Sequence, residues 1–549
     1  MPVTTAQTAS GSAPFRPKPS APHRHINLLR GWPAASLLPA EDIAQATSSL
    51  LVPPFSSSLE GTAVDLEKNI AAEKEKERKD VVTDLLEYGP DLGFGPLRDE
   101  VAQWLTRHFS NPRENERKTV IASMEKTTVS IPESAAARIC ITGGASQNLA
   151  NVLLSFSDPE VTRAVWLIRP VYFLACPIFE DAGFGPGRLH GVPEDEEGVN
   201  IGWLRTRLER FEEEDRQKGK ARYFFPFLIR VPLKPLDPLR RFYRHLIYCV
   251  PSSSNPSGKT MSLRRRRQLV HLAREFDALI ICDDVYDMLQ WKILPSSSPS
   301  LFLNESLSSS QCSSTSPSFS EFPEARRLPR LVDIDRELGR PENLGNDTWF
   351  GNTLSNGSFS KLVSPGMRTG WCEGVSSALP LGLSRTGATR SGGAPSQFSA
   401  AVIWNMLKSG VLDQHVHNKV RPALQQKHAL LIGEIYKARE EGVKWEVSGG
   451  DYCVDSDGKS YYGGYFVWVR LPPGMSADDV SRTCMEDENL TVASGNLFNI
   501  KNDCESANTE AATKLFDGYV RLCFAWEEED AVCEGVKRLA RVVKKLQVS

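Results

Sequence analysis

Through the middle of the chain, short runs that are apolar at nearly every position alternate with stretches in which apolar residues recur every three or four positions. The runs "RICITGG" (138–144), "AVWLIRP" (164–170), "HLIYCVPS" (245–252) and "ALIICDDVY" (278–286) predict buried strands that end in polar or glycine-rich turns. "SLRRRRQLVHLAREF" (262–276) predicts the helix between the last two. Strand and helix in alternation predict an α/β fold with a mostly parallel sheet, and in such sheets ligands bind at the carboxyl ends of the strands. Beyond about residue 405 the pattern changes. A long helical region (410–442) leads to the strands "GYFVWVRLP" (464–472) and "YVRLCFAW" (519–526). The chain closes on a helical stretch over 527–547, where Val532, Val536, Leu539, Val543 and Leu546 form one apolar stripe. Acids in its first turn and bases in its last suit the helix dipole.

These patterns divide the chain into a disordered tail (1–25), an N-terminal arm that belongs partly to a smaller domain (26–80), a large domain (81–405) and a small α+β domain (406–549). Three segments read as insertions. Residues 296–320 hold 13 serines in 25 positions and cannot build a core. Residues 66–80 and 207–222 are densely charged and predict solvated segments, and the "RRRR" run (264–267) predicts a solvated helix face with counter-charges nearby.

Bulk properties narrow the function. With 549 residues and a net charge of −3, the chain offers no strong field for nucleic acid. No apolar run approaches the roughly 18 residues of a membrane span. Eleven cysteines, with neither a C-x-x-C pair nor a histidine cluster, predict reduced thiols and no metal site. The first 40 residues contain no acid and several bases, but their prolines argue against an amphipathic targeting helix. The location expected is the cytoplasm, with a mitochondrial address left open.

The chemistry gathers in "SNGSFSKLVSPGMRTGW" (355–371). Lys361 stands among Ser358, Ser360 and Arg368, the donors that suit a phosphate dianion. An amine beside a bound phosphate suits imine chemistry with an aldehyde cofactor, and pyridoxal 5'-phosphate (PLP) carries both groups. Its ring nitrogen asks for a buried carboxylate, which Asp283 supplies at a strand end, with Tyr286 three positions on. Its ring oxygen asks for an amide, and Asn255 stands in the turn after the preceding strand. Ala145, Ser146 and Gln147 open a helix after a glycine turn and offer N–H groups to the phosphate; Tyr172 follows the next strand and offers a ring face.

In this set the chain resembles the fold-type I PLP-dependent aminotransferases of class I and II, in particular the kynurenine and 2-aminoadipate aminotransferase branch. The matching pieces run in family order: "NLLRGWPAASLLP" (27–39), "LLEYGPDLGFGPLRDEVAQWL" (85–105), "TGGASQNL" (142–149), "RPVYF" (169–173), "SNPSG" (254–258), "CDDVYD" (282–287), "SFSKLVSPGMRTGW" (358–371) and "YVRLCFAW" (519–526). The resemblance implies the aspartate aminotransferase-like fold, a mostly parallel seven-stranded sheet between helices plus a smaller α+β domain. It implies Lys361 as the amine that carries PLP, Asp283 on the ring nitrogen, Asn255 and Tyr286 on the ring oxygen, and Tyr172 stacked on the ring. Ala145, Ser146, Gln147, Ser358, Ser360 and Arg368 would hold the phosphate, with Tyr88 of a neighbouring subunit. Arg521 would pair with the substrate α-carboxylate, aided by Asn255 and the backbone around Gly31. The implied activity is ping-pong transfer of an amino group between an L-amino acid and a 2-oxo acid in a homodimer with shared sites. A PLP-dependent lyase or a 1-aminocyclopropane-1-carboxylate synthase-like enzyme shares the same cage and is the alternative. Relatives that serve as ligand-sensing halves of bacterial transcription regulators carry a winged helix before this fold, which the short proline-rich tail does not provide. The phosphate turn departs from many relatives in having Ala145 where they carry a hydroxyl.

Overall fold

The computed structural model describes residues 24–51, 85–109, 134–224, 232–293, 328–342, 348–448, 452–453, 460–501, 503–504 and 514–548. Most of the predicted tail, the charged stretch 66–80 and the serine-rich insertion 296–320 lie outside the described residues.

In chain order the strands are β1 (Ile26–Asn27), β2 (Ile139–Thr142), β3 (Ala164–Arg169), β4 (Leu189–Asp195), β5 (Gly198–Val199), β6 (His245–Cys249), β7 (Ala278–Asp283), β8 (Gln290–Lys292), β9 (Thr353–Ser358) and β10 (Gly370–Gly374). There follow β11 (Glu446–Val447), β12 (Tyr452–Cys453), β13 (Ser460–Gly463), β14 (Phe466–Arg470), β15 (Leu490–Thr491), β16 (Ala493–Ser494) and β17 (Tyr519–Cys523). The main sheet has the order β2-β10-β9-β7-β6-β3-β4-β5. Its ladder is parallel from β9 through β4; β10 runs antiparallel to both neighbours, and the two-residue β5 folds back on β4. The expected seven strands are present, and β5 adds a short eighth at the edge.

The unbroken apolar runs are explained by burial on both faces. Every residue of β6, β7, β9 and β10 is buried, as parallel sheets covered by helices require. One face packs Val152, Phe156, Phe179 and Tyr243, and the other packs Leu204, Leu208, Leu269, Val270 and Leu331. A smaller antiparallel sheet, β11-β14-β17-β16, carries "FVWVR" against "YVRLC", with Trp468 opposite Arg521. The C-terminal helix Glu529–Val548 buries Val532, Val536, Leu539 and Val543, the stripe its sequence predicts. The N-terminal arm joins this part of the chain: β1 pairs in parallel with β15, and Cys523 N–H donates to the Leu28 carbonyl at 2.7 Å.

The arginine run differs from expectation. Arg264 and Arg267 are exposed, but Arg265 and Arg266 are buried. Arg266 donates to the Pro251 carbonyl at 3.1 Å, to Ser252 Oγ at 2.9 Å and to the Met261 carbonyl at 3.0 Å. Arg265 donates to the Val199 carbonyl at 2.7 Å and pairs with Asp195 at 2.9 Å. Sequence charge density alone does not reveal this, because the partners are mainly carbonyls left over at a turn. Arg266 ties down the loop that follows β6 and carries Asn255, and Arg265 ties down the β4–β5 hairpin.

Gly357, on β9, lies opposite Trp371 on β10, and a Cβ there would run into the indole. The indole in turn packs on Phe359 at 4.9 Å, two residues before Lys361. Gly357→Ala is therefore expected to overpack this contact and lower stability by about 1–3 kcal/mol, read as a lower midpoint in chemical denaturation. An unchanged midpoint would show that the strand pair tolerates the added methyl.

Candidate active site

Five predicted site segments leave the carboxyl ends of the main sheet or its β9–β10 turn. Gly143–Ala145 follows β2, Tyr172 follows β3, Asn255 follows β6, Asp283 ends β7, and Lys361 lies in the 3₁₀ turn Phe359–Lys361 after β9. The sixth, Arg521, comes from β17.

Around Lys361 the contacts are specific. Its Nζ donates to the Gly31 carbonyl at 2.6 Å and lies 5.2 Å from the centre of the Tyr465 ring. Burial lowers its pKa to about 8; Arg521 pushes the same way, while Cys523 and Asp283 oppose it. Asp283 is buried and its pKa is raised to about 6, chiefly by desolvation, against the hydrogen bond from Tyr248 and the charge of Lys361. Tyr248 Oη donates to Asp283 Oδ2 at 2.8 Å. Asp283 Oδ1 is buried with no hydrogen-bond partner among the described residues, an uncommon state for a carboxylate oxygen.

Arg521 is buried, donates from Nη1 to Asn255 Oδ1 at 2.7 Å and from Nη2 to the Leu29 carbonyl, and lies over the Phe466 ring at 4.0 Å. Burial brings its pKa down to about 10. Tyr172 and Tyr286 sit within the field of both Asp283 and Arg521. Burial pushes the Tyr172 phenol up to about 12 and raises that of Tyr286 well above its ordinary value. Tyr286 packs against Tyr465 at 5.6 Å and Phe466 at 6.1 Å between ring centres.

The turn after β2 meets Arg368 directly. Gly144 has φ +96°, and a Cβ on it would stand 2.9 Å from Arg368 Nη2. Arg368, itself left-handed at φ +47°, donates to the Gly143 carbonyl at 2.9 Å and to the Pro365 carbonyl at 3.0 Å. Ser358 Oγ accepts from Ser360 N–H at 3.2 Å and stands 2.9 Å from Ser360 Oγ. Ser146 and Gln147 are exposed at the start of the helix Ala145–Phe156, and Gln147 Oε1 accepts from Gly143 N–H at 3.0 Å. Asn356 ties the two segments together: it accepts from Asn148 at 2.8 Å and donates to the Ala145 carbonyl at 3.0 Å.

Lys361, Asp283, Asn255, Tyr286, Tyr172, Arg521 and Gly31 are therefore gathered around one site. Arg368 meets the turn that leads into Ala145, Ser146 and Gln147, and Ser358 and Ser360 lie in the turn that carries Lys361. Tyr88 is not brought to it by its own chain: it is 86% exposed and lies beside Gly392. Sequence reasoning missed Tyr248, although it stands in a quoted strand run; a lone polar atom at a strand end was the available signal. It also missed Glu194 at the end of β4, which accepts from Ser257 Oγ at 3.2 Å and faces Lys259 at 3.9 Å, bracing the Asn255 turn. The carbonyls of Leu29 and Gly31 left no signal, because any residue offers a carbonyl.

The residues present fit PLP: a buried carboxylate oxygen without a partner, an amine with a lowered pKa, and a glycine-opened helix N-terminus facing a guanidinium. The sequence profile of the aminotransferase class I and II family matches residues 60–539, and the chain belongs to that family. Its relatives include an uncharacterized protein of Saccharomyces cerevisiae, 28% identical over 95% of this chain and 97% of that protein. The 2-aminoadipate transaminase of Thermus thermophilus is 24% identical over 95% and 90%, and aromatic-amino-acid aminotransferase 1 of Thermococcus litoralis 22% over 94% and 88%. Among solved structures, the multiple substrate aminotransferase of Thermococcus profundus shares the fold at a TM-score of 0.61 and 21% identity, covering 95% of this chain and 92% of that one. The α-aminoadipate aminotransferase of Thermus thermophilus, complexed with N-(5'-phosphopyridoxyl)-L-leucine, does so at 0.59 and 22%, covering 95% and 93%.

Asp283 has a measurable pH signature. Its folded pKa lies above its unfolded value, so the native state binds this proton more tightly, and stability falls as pH rises through about pH 4–6. Asp283→Asn removes that slope. In cofactor-free protein, the stability of Asp283→Asn relative to wild type should rise by about 1–3 kcal/mol between pH 4 and pH 7, measured by denaturant titration at each pH. A difference that does not change with pH would contradict the assignment.

Proposed function

We propose that this family member is a PLP-dependent transaminase that moves the amino group between an L-amino acid, of the 2-aminoadipate or aromatic kind, and a 2-oxo acid. One observation carries the reading: an amine with a lowered pKa, a buried carboxylate with one unpartnered oxygen and a buried guanidinium lie around one site.

Lys361 would carry the cofactor, Asp283 Oδ1 would face its ring nitrogen, and Asn255 and Tyr286 its ring oxygen. Tyr172 would cover the ring. Gly144, Ala145, Ser146 and Gln147 at the helix start, with Ser358, Ser360 and Arg368, would hold the phosphate. When bound, PLP supplies an electron sink that stabilises negative charge at the substrate Cα. Arg521 binds the α-carboxylate through two parallel N–H donors, a planar match that lysine lacks, with Asn255 and the arm backbone beside it. Tyr465 and Phe466 wall the site and keep water from it. The Lys361 nitrogen, with a pKa near 8, takes the proton from the substrate Cα as a base and later gives it back as an acid. Asp283, held by Tyr248, would be the carboxylate that keeps the ring nitrogen protonated.

The exposure of Tyr88 supports a homodimer in which this side chain reaches the phosphate of a second subunit. The sheet arrangement supports a large cofactor domain over 81–405 and a small domain over 406–549, completed by the N-terminal arm. A cytoplasmic location is in keeping with the absence, among the described residues, of a helix long and apolar enough to cross a membrane.

A panel of donors (2-aminoadipate, kynurenine, phenylalanine, leucine) with 2-oxoglutarate or pyruvate tests the activity. The expected result is one 2-oxo acid formed per amino acid produced. Ammonia released without need for an acceptor would overturn the reading in favour of a lyase. Arg521→Lys is expected to lower kcat/KM about 10- to 100-fold for every donor accepted, since each contains the α-carboxylate. A loss confined to some donors would contradict the assignment of Arg521.

A further inference from the structure

Arg521 is a buried cation held without an acid. Its Nη1 donates to Asn255 Oδ1 at 2.7 Å and its Nη2 donates to the Leu29 carbonyl, both neutral acceptors. Its Nε is buried with no hydrogen-bond partner, and among the described residues no carboxylate pairs with it. Two phenylalanines face it instead. The guanidinium carbon lies 4.0 Å from the Phe466 ring centre and 4.9 Å from that of Phe498.

Phe466 belongs to β14, the strand that pairs with Arg521's own. Phe498 comes from a different element, the 3₁₀ turn Gly495–Phe498. That turn follows β16, whose Ala493 lies opposite Arg521. The Phe498 ring is fully buried and meets Trp468 and Phe173 edge to face, each at 5.5 Å between centres. The Phe498 carbonyl accepts from Val171 N–H at 3.0 Å, beside Tyr172. This bond is made by backbone, so it holds the turn in place whatever side chain stands at 498.

The choice of ring over acid has a consequence for binding. A carboxylate partner would occupy the N–H donors of the guanidinium. An aromatic face attracts the cation through its quadrupole and takes up no donor in a conventional hydrogen bond. Such a contact strengthens when it is desolvated, as it is here.

We propose that Phe498 is a positioning residue for substrate binding: with Phe466, its ring stands in place of a counter-ion and holds the Arg521 guanidinium with donors open to the substrate α-carboxylate. The inference rests on the transaminase reading and deepens it. The α-carboxylate is present before and after the chemical step, so the ring acts on binding and leaves the turnover of bound substrate nearly unchanged.

The test measures kcat and KM of the holoenzyme for a donor that wild type accepts. Phe498 is replaced by mono-, di- and trifluorinated phenylalanine through site-specific incorporation, and by leucine in Phe498→Leu. Fluorine weakens the negative face of the ring with little change of shape, so KM should climb stepwise with each fluorine. Phe498→Leu, which keeps apolar bulk without a ring, should raise KM about 3- to 30-fold. The change in kcat should stay below about twofold. PLP affinity, followed by visible absorbance, should not move in any variant. A KM that ignores fluorination shows a packing role, even where Phe498→Leu raises it, and overturns the inference. A loss in kcat at constant KM, or weakened PLP binding, overturns it too, and each of these leaves the transaminase reading standing. Failure of wild type to turn over any donor of the panel above overturns both.

Discussion

The site is governed by an imbalance of buried charge. Lys361 and Arg521 share one low-dielectric pocket, and Asp283 is the carboxylate that acts on Lys361 there. Each of the three has its pKa moved toward the neutral form, the response expected when charges are taken from water without full compensation. Asn255 and the carbonyls of Leu29 and Gly31 offer dipoles to the two cations, and dipoles only partly offset such a charge. A phosphate on the rim and a carboxylate on Arg521 would restore the balance, so affinity for anionic ligands is built into the electrostatics of the site.

The fold serves this by bringing distant segments to one edge. Parallel strands β3, β6, β7 and β9 all end on the same side, so Tyr172, Asn255, Asp283 and Lys361 meet although almost two hundred residues separate the first from the last. The antiparallel β10 returns the chain beneath the lysine turn, where Trp371 and Phe359 fix it. The small sheet presents Arg521, and carbonyls of the arm accept from both Arg521 and Lys361. Because the arm contacts both Lys361 and Arg521, its placement is part of the active geometry.

Much of this was legible in sequence for a physical reason. Buried parallel strands must be apolar throughout, so their ends stand out as abrupt changes to polar or glycine-rich residues, and the chemistry lies at those changes. Lys361, Asp283, Asn255 and Tyr172 were visible in this way. The positions that escaped are those whose role depends on partners far along the chain. Tyr248 looks like one more strand aromatic until β7 lies beside it, and Glu194 looks like a surface acid until the Asn255 turn covers it. Arg265 and Arg266 look solvated because nothing local says that the carbonyls of a turn face them. Arg521 and Gly31 were found through resemblance to a family; no local pattern marks an arginine within "YVRLC" as a ligand for a carboxylate.

The proposed activity requires a covalent bond between Lys361 Nζ and the aldehyde carbon of PLP. Borohydride reduces a carbon–nitrogen double bond to a stable amine, so treating the PLP-loaded protein and mapping its peptides by mass locates that nitrogen. One phosphopyridoxyl group is expected, on Lys361, and none on the corresponding peptide of Lys361→Ala. A label on another lysine, or no label at saturating PLP, would contradict it.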